Sequence, residues 1–355
     1  MIAAIYNGAK KIDFAELPMP ECDDNGIVIK NICASVCGSD VTAYHYGGAH
    51  VMVFEGNEFG HEMVGRVVKA GKNVVGIKEG DRVFPVPEFA KNDYMRAATI
   101  GGFSEYVELP QCTVNHSVYL VPDEIENDLA SIIEPFTVGA NAVWRMNVES
   151  GKKAIVFGAG AIGLTAAVTL KYLGCEVVVV DMLEERLDIA KSLGLHVCNV
   201  LTESYMEACT RILGGAYGFT GPAIDCDYYV DATAKSPAVM EMINNSPNMD
   251  PVGKQPVVQT FLGCAKGMAK LSVAGIPERP VEVNLTPLIY TGLQIIGPAG
   301  ANDTVIRLVM EILASNKFPM RNIITHTFRQ KDLVQAIEQA SDTRNAMKVI
   351  IKYDA

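Results

Sequence analysis

The sequence predicts an α/β protein of two domains: a compact, mostly antiparallel β domain, and a doubly wound parallel sheet covered by helices on both faces. Three observations lead there. The chain has 355 residues, enough for about two domains that each bury a core. Up to about residue 150, short alternating runs are punctuated by Gly, Pro and Asp, the pattern of antiparallel strands with one wet face. Beyond it, short β-rich runs alternate with helical stretches, as in a parallel sheet whose crossovers are helices.

Taken in order, "NGIVIKNICAS", "EMVGRVVKAG" and "GGFSEYVEL" are the clearest strands of the first domain. "KKAIVF", "GAGAIG", "LTAAVTLKYLG" and "CEVVVVD" then read as strand, glycine turn, helix and strand. "DYYVDAT", "AKLSVAGI" and "LQIIGPAG" continue the sheet, and after "GPAG" come a helical "DTVIRLVMEILASN", a strand-like "THTF", a helical "KDLVQAIEQAS" and a last strand "MKVIIKY". The boundaries expected are 1–150 with 298–355 for the first domain and 151–297 for the second. Two stretches, 215–224 and 236–256, stand out as insertions whose role is not readable.

Composition narrows the function. With 30 basic and 41 acidic residues the formal charge is −11, and the basic residues are scattered singly or in pairs. That disfavours nucleic acid and anionic membrane as partners. The N-terminal "MIAAIYNGAKK" lacks the basic start and long apolar run of a secretion signal, so a cytoplasmic location is expected. Nine irregularly spaced cysteines in so long a chain suggest reduced, buried thiols rather than a disulfide framework. The uncharged "AIVFGAGAIGLTAAVTL" looks membrane-like, but it is at the short limit for a span and its regular glycines suggest a buried strand turning into a buried helix.

Gly158, Gly160 and Gly163 form G-x-G-x-x-G after a strand and at the mouth of a helix, and Asp181 ends the next strand. Glycines after strands often mark only a tight turn. In this context they let the backbone approach a pyrophosphate at a helix N-terminus, while the acidic residue accepts hydrogen bonds from a ribose. Asp181 would also repel a 2′-phosphate, and "MLEER" supplies no early arginine to hold one, so NAD is expected rather than NADP.

Cys37 in "CGSD", His61 and Glu62 in "GHE", and Glu134 in "IIEPF" are candidate metal ligands. Singly, each has a plain explanation: a buried thiol, a hydrogen-bonded histidine, a solvated charge, a helix-start residue. Together, thiolate, imidazole and carboxylate suit a tetrahedral zinc with one position left for solvent or substrate. The spacing alone leaves both open.

"GHEMVGRVVKAG" followed by "EGDRV" resembles the signature of the zinc-dependent medium-chain alcohol and polyol dehydrogenases, and "CGSD", "GGFSEY", "GAGAIG" and "VVVVDMLEERLDIAKSLG" fall in that family's order. The resemblance spans essentially the whole chain. It implies a GroES-like catalytic domain with a Rossmann domain inserted in it.

The resemblance makes Cys37, His61 and Glu134 ligands of a catalytic zinc and Glu62 a carboxylate that coordinates in some states. Ser39 becomes the start of a proton relay and Asp40 the residue that orients His61. Gly158, Gly160, Ile162, Gly163, Asp181 and Arg186 fall on the adenosine and pyrophosphate side of NAD, and Ala274, Gly275, Ile276, Pro298 and Ala299 on the nicotinamide side.

Glutamate at position 134 resembles the sorbitol dehydrogenase-like branch. Three features depart from the family pattern. The four cysteines of the family's structural-zinc lobe are missing from "VFPVPEFAKNDYMRAATIG", so one catalytic zinc per subunit is expected. Thr42 stands where the relay histidine commonly lies, leaving His45, a turn further on, as a substitute or a surface residue. The insertions are the third.

The implied activity is hydride transfer between NAD and a small-molecule secondary alcohol, a polyol or sugar derivative. Amino-alcohol oxidation of the threonine-dehydrogenase kind, and a non-catalytic NAD-binding structural or sensing protein, are the alternatives. "VEVNLTPLIYTGLQIIG" is apolar enough to pair across a twofold axis, so a homodimer or homotetramer is expected.

Overall fold

A computed structural model describes residues 1–233, 241, 243–276 and 280–354. The chain divides into two compact units, Met1–Pro135 with Leu313–Asn316 and Ile323–Ala355, and Phe136–Ile312 with Lys317–Asn322. These limits differ from 150 and 298. The helices Ile133–Trp144 and Asp303–Ala314, which the expected boundaries place in the first domain, fall mostly in the second unit.

The first unit is GroES-like. Its main sheet has seven strands, in the order Ile324–Arg329, Lys348–Lys352, Ile27–Ser35, Glu62–Ala70, Arg82–Pro85 and Val118–Leu120, with Tyr106–Leu109 also pairing Ile27–Ser35. All pairings are antiparallel except that of the first two strands, which is parallel. Ile27–Ser35 pairs Ser35 with Glu62 at one end, and Ile350 pairs Ser35 from the other side. The C-terminal strand thereby reaches the residues that follow His61. Ile29, Met63, Phe59, Phe103 and Ile351 lie in the core beneath.

The second unit is a Rossmann-type sheet of six parallel strands, in the order His196–Asn199, Glu176–Asp181, Lys153–Phe157, Tyr228–Asp231, Lys270–Val273 and Gln294–Ile296. The strand order reverses between Lys153–Phe157 and Tyr228–Asp231, the usual place for a ligand in such sheets. The membrane-like run is the buried strand Lys153–Phe157 followed by the helix Ala161–Tyr172. Among the described residues no helix is long and apolar enough to cross a membrane. All nine cysteines are free. The stretch 215–224 is a β-hairpin, Gly215–Gly218 paired with Gly221–Ile224. Part of 236–256, namely 236–240 and 242, lies outside the described residues.

Candidate active site

Cys37 sits in extended backbone just before the helix Gly38–Tyr46. Asp40, three residues on, turns back and accepts a hydrogen bond from the Cys37 N–H at 2.9 Å. That is the carboxylate half of a capping box, and it fixes the turn that presents the thiol. His61 is delivered by Gly60, whose φ of +85° suits glycine and whose absent Cβ would lie 2.7 Å from the Phe103 ring. Glu62 then opens the strand Glu62–Ala70.

These segments converge. The Cys37 Sγ, a His61 ring nitrogen and a Glu62 carboxylate oxygen all lie within 4.8 Å of one another. His61 Nδ1 and Asp40 Oδ1 are buried without a hydrogen-bond partner. Asp40 was expected to orient His61, but its hydrogen bond goes to the Cys37 backbone and it acts on His61 through charge. Glu134, at the start of Ile133–Trp144, stands outside the 4.8 Å group. The tight set is therefore a thiol, an imidazole and Glu62, with Glu134 coupled to it electrostatically.

Charge interactions in the site are strong. Burial disfavours the His61 imidazolium, yet Cys37, Asp40 and Glu134 outweigh it and push its pKa well up. Burial, then Glu62 and Glu88, push Glu134 up to about 7 against the pull of His61 and Lys348. Burial raises Asp40 to about 6 although His61 pulls it down. For Glu62 the balance goes the other way: burial opposes its charge, but Lys348 and His61 hold its carboxyl below the ordinary range.

Lys348 is the residue that sequence reading missed. It is 4% exposed, donates to the Val36 carbonyl at 3.0 Å and ion-pairs with Glu62 Oε2, which the Ser35 hydroxyl also reaches. A lysine inside the apolar "MKVIIKY" is the one local sign of it. His45, the relay candidate or surface residue, sits among charged side chains. Its Nδ1 lies 2.9 Å from Lys10 Nζ and its Nε2 3.6 Å from Glu338, so the ring belongs to a network with those two side chains. Ser39 Oγ is buried and unpartnered.

In the second unit the glycines divide their roles. Gly158 has a φ of +96° and its absent Cβ would meet the Ala232 carbonyl at 2.7 Å; a Cβ on Gly163 would lie 1.8 Å from the Gly158 carbonyl. Gly160 is different: a Cβ there would meet only Arg186 Nη1, at 3.5 Å. The first and third glycines close the turn onto the helix, and the second leaves a cradle that backbone N–H groups can offer to a phosphate.

Asp181 lies against this loop, accepting from Ala159 N at 2.6 Å, Met182 N at 2.7 Å and Leu183 N at 2.9 Å. Burial lowers the pKa of Arg186, against the pull of Asp181. Ala274 and Gly275 donate to the Asp231 carbonyl, both at 2.8 Å, and Ile276 beyond them is exposed. Pro298, Ala299 and Gly300 are gathered by one side chain not foreseen from sequence: Asn141 Nδ2 donates to their carbonyls at 2.5, 3.0 and 2.9 Å. Ala299 takes a φ of +55° within that grip.

Residues 23–123 match the alcohol dehydrogenase GroES-like domain and residues 161–315 the zinc-binding dehydrogenase domain. The L-threonine 3-dehydrogenase of Escherichia coli O1:K1 is 27% identical over 358 residues, covering 96% of this chain and 95% of its own. The 2R,3R-butanediol dehydrogenase of Bacillus subtilis shares the fold with a TM-score of 0.81 at 21% identity, over 99% of both chains. A protein described as a short chain alcohol dehydrogenase, from Escherichia coli CFT073 and complexed with NADH, does so at 0.78 and 22%, also over 99% of both. The chain belongs to the zinc-type medium-chain alcohol dehydrogenases.

Proposed function

We propose that the protein reversibly oxidises a secondary alcohol of polyol or sugar type, with NAD as hydride acceptor and one zinc per subunit. The observation that supports this most is the convergence of Cys37, His61 and Glu62 within 4.8 Å. A soft thiolate, an imidazole and a carboxylate are a zinc donor set, and the unpartnered His61 Nδ1 and Asp40 Oδ1 are groups that a bound ion or its ligands would orient. Zinc held there supplies Lewis acidity, which stabilises negative charge on a substrate oxygen.

The chain's own residues do the rest. Asp40 pins the turn that carries Cys37. Lys348 and Ser35 hold one oxygen of Glu62, so a move of Glu62 toward a metal has to loosen an ion pair. Ser39 Oγ, with no partner of its own, is the hydroxyl suited to pass on the substrate proton. The cradle at Gly160 takes the pyrophosphate of NAD, and Asp181 takes the adenosine ribose.

A coenzyme-binding protein without chemistry would have no use for a thiol, an imidazole and paired carboxylates gathered in one place, which weighs against that alternative. We also infer a homodimer or homotetramer. Gln294–Ile296 is an open edge of the parallel sheet, and Ile289 and Tyr290 beside it in sequence are 73% and 75% exposed. The test of the function is NADH formation with zinc-loaded protein and a panel of polyols, amino alcohols and simple secondary alcohols. NADH appearing with secondary alcohols supports the reading, and none with any of them contradicts it.

A further inference from the structure

We propose that a basic groove on the first unit, at the part of its main sheet remote from Glu62, is a second binding site that takes a phosphate monoester carrying hydroxyl groups. Nothing in the inference rests on turnover, so it stands or falls apart from the dehydrogenase reading above.

Two cavities of about 460 and 410 Å³ make the groove, and Lys30, Asn31, Lys352, Tyr353 and Asp354 line both. Each is within the size range of small-molecule sites. All of their lining residues belong to the first unit. The strands that frame the groove also serve the candidate metal centre, but at other positions. In Ile27–Ser35, Lys30 precedes Ser35 by five residues; in Lys348–Lys352, Lys348 holds Glu62 while Lys352 lines the groove. Four residues of strand set Lys352 about 13 Å from Lys348, which separates the two sites.

Charge is the ground for the ligand. Lys30, Arg66, Arg329, Lys331 and Lys352 line the groove of a chain whose formal charge is −11. They are scattered in sequence, and strand register gathers them: Lys30 opposite Arg66, and Arg329 beside Lys352. Like charges placed opposite each other on a sheet cost stability unless something offsets them. The carboxylates of the groove do so only in part. Asp354 pairs with Arg329 and Asp128 with Lys352 at 2.8 Å, while Glu105 accepts from the Ile2 N–H at 2.6 Å. Among the described residues no ion pair or hydrogen bond reaches the ammonium of Lys30 or Lys331, and Arg66 donates to the uncharged Gly80 carbonyl.

Lys30 and Lys331 both line the larger cavity. A phosphate monoester brings close to two negative charges and three acceptor oxygens on one group, enough to answer both ammonium groups at once. The adjoining cavity leaves room for the organic part. Asn31, which lines both cavities and is 1% exposed, spends its Nδ2 on the Ser104 and Gly102 carbonyls and keeps Oδ1 without a partner. That oxygen is an acceptor suited to a ligand hydroxyl, which inorganic phosphate lacks on an organic part.

The test is calorimetric titration of the protein saturated with NADH, so that the coenzyme cradle is filled. The probes are sorbitol 6-phosphate, adenosine 5′-monophosphate, inorganic phosphate and, as the uncharged control, sorbitol. At least one ester should bind saturably, about tenfold or more tighter than inorganic phosphate and sorbitol. Whichever ester binds tighter identifies a sugar or a nucleotide as the source of the phosphate. Lys30→Gln with Lys331→Gln should weaken that binding about tenfold or more. Lys72→Gln with Lys78→Gln removes the same charge outside the groove and should leave it within about twofold. The ester should also raise the Tm of wild type and not that of the Lys30/Lys331 variant. No saturable binding of either ester, inorganic phosphate bound as tightly as both, or an equal loss in the two double variants overturns the proposal.

Discussion

Replacing Lys348 by methionine isolates the buried ion pair that the site is built around. Lys348 and Glu62 are 4% and 1% exposed, and among the described residues only Lys348 and the Ser35 hydroxyl are seen bonded to the Glu62 carboxylate. Methionine keeps the bulk of the side chain and leaves a carboxylate buried without its counter-charge. Breaking one partner of such a pair costs about 3–5 kcal/mol, because the remaining charge is uncompensated. For a domain of this size that is a Tm loss of roughly 6 to 20 °C.

The sign with pH follows from the shifts. Burial works against both charges, but Glu62 is held below and Lys348 above its ordinary range by the other. The pair's contribution is therefore present from above the ordinary carboxylate range to below the ordinary amine range. It is lost as pH falls through Glu62's lowered value or rises through Lys348's raised one. Calorimetric unfolding near neutral pH, in EDTA and again with zinc, measures the loss. Lys348→Met combined with Glu62→Gln should recover most of it, since the orphaned charge is gone. A loss under about 1 kcal/mol for the single variant, or a double variant no more stable than the single, would refute the argument.

Asp181→Ala should weaken NAD and raise the NADP/NAD ratio of kcat/KM by roughly tenfold, about 1.4 kcal/mol, because a 2′-phosphate would otherwise face the carboxylate. An unchanged ratio would mean that Asp181 is not at the ribose. Asn141→Leu removes the donor that gathers Pro298, Ala299 and Gly300, and should cost about 1–3 kcal/mol of stability and raise the KM for NAD; if Tm and KM both hold, the clamp has no role. Light scattering at micromolar concentration should give a dimer or tetramer mass, and a monomer mass would reject pairing at the Gln294–Ile296 edge.

The parts legible in the sequence are those whose chemistry is local. The glycine turn, the helix it opens and Asp181 lie in one strand-turn-helix-strand unit, and Asp40 caps the helix three residues after Cys37. His61 and Glu62 announce themselves by the glycine that Phe103 requires before them. Lys348 could not be read this way. Its partner is 286 residues distant, and only the antiparallel placing of the last strand beside Ile27–Ser35 brings them together. Asn141 looks like a polar interruption in an apolar helix until the loop it holds, more than 150 residues on, is seen. His45 shows the same limit: the sequence places it a turn beyond Thr42, but its neighbours Lys10 and Glu338 come from remote parts of the chain.

The most direct test of the central claim is metal analysis of purified wild type beside Cys37→Ala, with NAD reduction followed on the same samples. One zinc per subunit in wild type is the predicted result, with both the metal and the alcohol-dependent NADH signal lost when the thiol is removed. Two zincs per subunit, or a Cys37→Ala protein that keeps its turnover, would contradict it.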